Sequence, residues 1–205
     1  MSKVALDWPA DACALGLLQL REDPQYPRIP DDRRIALVEA ALEDGRSMAQ
    51  PIRSQWGTDP AVIASACDVP VHCCQRDAGF GSTVVYADYS ARPPAITLYV
   101  PAIQALDQSI SRRGGNYGGG AGTLPIFLAH ELYHHFDCRR GSARLGRRHA
   151  VKIFSVGKWH WTSGLTSLCE IAAGAFAQEL LGLPFHPKHL DSFLQVEVVS
   201  ELEGA

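Results

Sequence analysis

Three of the chain's 8 histidines fall within six positions, in AHELYHHFD at residues 129–137. The run LPIFLAHELYHHF around them is apolar ahead of the motif, so residues 123–138 are read as a largely buried helix. Side chains at i and i+4 of a helix lie on one face, so His130 and His134 can reach the same ion. Glu131 is offset by about 100° and flanks that face. Two imidazoles and an intervening glutamate in this order make the HExxH arrangement, with the histidines on zinc and Glu131 as general base. Zinc lowers the pKa of a bound water toward ~7, and Glu131 can take that proton as hydroxide attacks a carbonyl.

A catalytic zinc needs a third protein ligand and an open fourth position. A histidine six residues after His134 would supply it, but position 140 is Arg. Asp137 lies a turn beyond the metal and reads as a supporting or helix-end acid. Glu170 is the better candidate. It sits in LTSLCEIAAGAFAQELL, where burying a carboxylate without a partner is costly. Ala173, Gly174 and Ala177 follow at small-residue spacing that would let this helix approach the HExxH helix. The competing reading pairs Glu170 with Arg144 or Arg148, and Glu179 is the second candidate ligand. No spacing argument selects an oxyanion donor among His149, His160, Tyr117 and Tyr133, and His135 is read as packing or a surface hydrogen bond.

The rest of the chain has the make-up of an α+β protein. Helices are expected at 9–22, at 31–50 with Pro51 interrupting or ending the second, and at 61–68 after the Thr58-Asp59-Pro60 cap. The segment 23–30 holds three prolines and reads as a linker. Runs at 69–75, 82–90 and 95–100 suggest a small antiparallel meander, followed by a short helix at 101–110. The Gly-rich segment 112–122 is either a flexible insertion or a flap over a site. Residues 139–162 look irregular and basic, 163–182 form an apolar helix stopped by Gly182 and Pro184, and 186–204 form a final helix. Residues 1–57 are expected to be an N-terminal helical extension and 58–205 a single metal-binding domain.

The order of these pieces resembles the ImmA/IrrE family of zinc metallopeptidases. The likeness rests on AITLYVP, AHELYHHF and EIAAGAFAQELLGLP, and covers about residues 58–185. It implies a zincin-like fold: a small antiparallel sheet packed on the HExxH helix, with a second, Glu-bearing helix. It also implies Zn2+ held by His130, His134 and Glu170, with Glu131 as catalytic acid/base, and hydrolysis of a peptide bond in a protein substrate. Position 133 is Tyr where the family usually has Gly. No helix-turn-helix pattern is evident, so a fused DNA-binding regulator is not expected. The alternative is a zinc-stabilised regulatory or binding module of the same fold that cleaves nothing, with Cys138 or Asp137 closing the fourth position. A non-peptidase hydrolase is a weaker third option.

Composition narrows the partners. Net charge is −3, so nucleic acid is not expected as a partner. No apolar run reaches the ~20 residues of a membrane span, and the first residues lack the pattern of a signal peptide. A cytoplasmic protein with six reduced cysteines and no membrane partner is therefore expected. CRRGSARLGRRHAVK at 138–152 has no acid. It is either a solvated loop or a cleft edge that recognises an acidic segment of a protein or peptide substrate, and the oligomeric state is left open.

Overall fold

A computed structural model describes residues 11–76, 78–80, 83–112 and 122–193. The fold is α+β. At its centre is helix α7 (Thr166–Leu181), in which every residue from Ile171 to Ala177 is buried. A helix apolar on all sides must be covered on all sides. Helix α2 (Asp31–Trp56) packs along one flank of α7 and helix α5 (Leu124–Arg139) along another, with α1 (Ala12–Arg21) lying across α2 and α7.

The close approach of α2 to α7 is made at Gly45. A Cβ there would overlap the Ala172 carbonyl oxygen and come 2.8 Å from the Phe176 amide. Helix α2 also runs through Pro51, which the sequence marks as an interruption or end. Proline forfeits one helical hydrogen bond. The extra turn buries Ile52 and stacks Trp56 on Phe136 of α5, ring centroids 6.5 Å apart. The helix stops at Gly57, where φ is +83°.

The Pro-rich segment 23–30 does more than link. It contains a 3-10 turn, Tyr26–Arg28. It also delivers Asp23 to the start of α7, whose own first residues carry no side-chain cap. Asp23 Oδ2 accepts from the Ser167 amide at 3.1 Å and from its hydroxyl at 2.7 Å. A distant residue thereby acts as the N-terminal cap.

The antiparallel meander is corrected. Strands β1 (Val71–Cys74), β4 (Ala87–Ala91) and β5 (Pro94–Tyr99) form one sheet in the order β1-β5-β4, with β1 parallel and β4 antiparallel to β5. The run 82–90 divides, giving its first part to a separate hairpin of β2 (Ala78–Phe80) and β3 (Thr83–Val85). β5 takes the centre because Ile96 and Leu98, on one face, are the strand's buried pair. The sheet packs on α5 through β4 and β5. Helix α3 (Pro60–Ala66) starts at the expected cap, the Asp59 carboxylate accepting from the Ala61 amide at 2.8 Å. Helix α4 (Val100–Arg112) follows β5 directly.

Two further expectations change. Residues 139–162 are not irregular throughout. They hold a 3-10 turn, the short helix α6 (Leu145–Arg148) and most of a hairpin, β6 (Val151–Val156) with β7 (Trp159–Ser163). A bulge between Lys152 and Phe154 breaks the period-two alternation that would have announced β6. The final helix is instead a 3-10 segment, Pro187–Phe193, and 194–204 lie outside the described residues, as does 113–121 of the Gly-rich segment. All six cysteines are free thiols. Among the described residues no helix is long and apolar enough to cross a membrane.

Candidate metal centre

His130 and His134 project from α5 toward Glu170, one turn into α7. His130 Nε2 lies 3.0 Å from Glu170 Oε2, His134 Nε2 lies 3.3 Å from Glu170 Oε1, and the two Nε2 atoms are 3.3 Å apart. Ligands at about 2.1 Å from a tetrahedral ion are spaced by roughly 3.4 Å. The three observed separations fit that spacing, and the His2Glu donor set suits a divalent ion with imidazole affinity. Among the described residues these three are the group able to hold a metal, and no fourth His, Cys, Asp or Glu joins them.

The two carboxylates stand in opposite conditions. Burial pushes Glu170 up, but hydrogen bonds from His130 and His134 outweigh it and hold the group well below the usual carboxylate range. Its side chain remains half exposed, less enclosed than its apolar helix suggests. Glu131 is 8% exposed, and burial pushes its pKa up against the pull of the two histidines. His130 is pushed down by burial and up by the Glu170 hydrogen bond and charge, with a net rise.

The Arg partners weighed for Glu170 go elsewhere. Arg148 and Arg140 both pair with Asp44 of α2, and Arg144 donates to the Cys138 carbonyl at 3.0 Å. Tyr133 has a structural role. It is fully buried and its hydroxyl donates to Asp44 at 2.9 Å. Asp44 thus ties α2 to the helix bearing the histidines. Burial, with Asp44 nearby, pushes the Tyr133 hydroxyl far up, and its proton is committed to Asp44 rather than to an oxyanion.

His135 is buried and shares a 3.1 Å hydrogen bond with Tyr89 Oη on β4, which seats α5 on the sheet. Asp137 is buried and accepts from the Leu145 amide at 3.0 Å, tying the end of α5 to α6. Cys169 lies 3.9 Å from Asp137 Oδ2, and burial pushes its thiol up to about 11. Such a thiol is a packing group rather than a nucleophile. Glu179 is at the far end of α7, outside the cluster, and Tyr117 lies outside the described residues.

Two pockets meet at the cluster. One is lined by His130, Glu131 and Glu170 with Tyr86, His186 and Lys188; the other by His134 and Glu170 with Arg144, Arg147 and Ser163. No family model, curated protein or solved structure matches this chain. Sequence reasoning missed His186. It is 4% exposed, its Nδ1 accepts from the Lys188 amide at 3.2 Å, and its ring lies over Gly174, where a Cβ would overlap it. So Gly174, expected to meet α5, makes room for His186 instead. Pro184, turning the chain back over α7, was the signal that could have brought it in.

Proposed function

We propose that the chain is a zinc-dependent metallopeptidase of zincin-like architecture. The observation that carries this reading is the three-donor cluster opening on two pockets with the buried Glu131 at its side. His130 and His134 would hold zinc through Nε2 and Glu170 through its carboxylate. When bound, zinc acts as a Lewis acid and makes water a nucleophile near neutral pH. Glu131 takes the proton of the attacking water at its carboxylate and later delivers it to the leaving amine. A raised pKa suits a group that must both accept and return a proton.

The resemblance to the ImmA/IrrE family over residues 58–185 supports the same assignment, with a protein or peptide as substrate. Of the basic tract, Arg147 is exposed on the rim of the pocket shared with His134 and Glu170. It is the cation best placed to meet an acidic substrate residue. The test is Glu131→Gln in zinc-loaded protein, assayed on fluorescent casein. Full zinc content with hydrolysis reduced at least about a hundredfold is expected. Unchanged hydrolysis would falsify the mechanism. Wild-type protein that binds zinc and cleaves nothing would point to the regulatory-module reading.

A further inference from the structure

Among the described residues, the β6–β7 hairpin carries the four most exposed large hydrophobic side chains. Trp159 is 75% exposed, Phe154 57%, and Trp161 and Val156 55% each. Residues two apart on a strand share a face, and so do directly paired residues on neighbouring strands. Phe154 pairs with Trp161 and Val156 with Trp159, so all four lie on one face. Phe154 and Trp161 touch, with ring centroids 5.7 Å apart. The other face carries Lys152 opposite Thr162 and Ser155 opposite His160. The strands are joined at Gly157-Lys158, with Gly157 at φ +56°, as a two-residue turn requires. The result is an amphipathic hairpin, anchored near the core at Val151, with its apolar side exposed from Phe154 to Trp161. A patch of this kind marks a contact surface.

Charge narrows the occupant. Residues 138–169 contain seven Lys and Arg and no Asp or Glu, in a chain whose net charge is −3. Arg147, Lys152 and Lys158 of this stretch are exposed. Two copies meeting through the hairpin would bring these like charges together. Nucleic acid would use the indoles for stacking but leave Val156 and the exposed Ile153 against water. The hairpin is exposed on both faces over residues 152–162, which suits a receptor that deforms around it. Indoles at an apolar–polar boundary with lysines reaching back to headgroups are the chemistry of a bilayer interface.

We propose that the β6–β7 hairpin docks on an anionic lipid surface, inserting Phe154, Val156, Trp159 and Trp161 while Lys152 and Lys158 meet the headgroups. This mode needs no spanning segment, and among the described residues no helix is long and apolar enough to cross a membrane. The proposal does not depend on the metal centre.

The test is flotation of the full chain with vesicles of phosphatidylcholine mixed with phosphatidylglycerol, against phosphatidylcholine alone. The wild type is expected to float with the mixed vesicles, with a blue-shifted indole emission, and to bind the neutral ones far more weakly. Trp159→Ser/Trp161→Ser and, separately, Lys152→Glu/Lys158→Glu should each weaken binding at least about tenfold. The lysine variant leaves the apolar face intact and guards against a folding defect in the other. Failure to float, equal binding to both vesicle types, or wild-type binding by the lysine variant would overturn the proposal. So would a dimer that Trp159→Ser/Trp161→Ser dissociates.

Discussion

Glu131 and Glu170 are two carboxylates near the same histidines in opposite electrostatic conditions. Glu170 accepts hydrogen bonds from both rings and is held well below the usual carboxylate range, which suits the ligand role proposed for it. Glu131 is buried and its pKa is raised by that burial, which suits the proton-accepting role proposed for it. Asp44 acts one layer behind them. It receives Tyr133, Arg140 and Arg148, so Asp44→Ala strands a buried hydroxyl and frees two guanidiniums. Arg148 is partly solvated, so its share is discounted, and a loss of about 2–4 kcal/mol is expected in urea unfolding. A loss under about 0.5 kcal/mol would show that the network does not hold α5 to α2. Arg147→Gln should lower kcat/KM a few-fold on a peptide with an acidic residue beside the scissile bond. Raising the salt should erase the difference. A salt-independent effect, or none, would remove Arg147 from substrate recognition.

Among the helices, contact at the α2–α7 crossing outweighs propensity. Alanine is favoured over glycine in a helix by about 1 kcal/mol, so Gly45→Ala should stabilise an isolated α2. In the protein the added methyl meets the backbone of α7, and overpacking costs about 1–3 kcal/mol or more. A net fall in melting temperature is expected, and a rise would mean the crossing is looser than described. Asp23 gives the cap on α7 its pH dependence. Burial pushes its pKa up, but bonds from the Gln25 amide, Ser167 and Thr166 bring it below the ordinary value. Its folded pKa is therefore below the unfolded value of about 3.9. The contribution is full above that value and is lost as pH falls through the folded one. Asp23→Asn should cost about 1–2 kcal/mol at neutral pH, and the gap to wild type should shrink in acid. A gap that stays constant down to acid pH would assign the loss to something other than the charge.

Across the whole molecule, what sequence revealed was local. The i,i+4 spacing of His130 and His134, the Asp59 cap and the stop at Gly182 all depend on neighbours within a turn or two. What it concealed was set at a distance. The parallel pairing of β1 with β5, the capping of α7 by Asp23 and the placement of His186 over Gly174 leave no periodic trace in the chain. The bulge in β6 erased the alternation that was there. Glu170 was reachable because an acid in an apolar helix demands a partner, and the partner is the histidine pair 40 and 36 positions earlier. The central claim is that α5 and α7 together hold one zinc. It is tested most directly by measuring zinc in wild-type protein and in Glu170→Ala after equilibration with zinc and removal of the free ion. About one zinc per chain in the wild type and almost none in Glu170→Ala is the expected result. A zinc-free wild type, or full retention in Glu170→Ala, would contradict it.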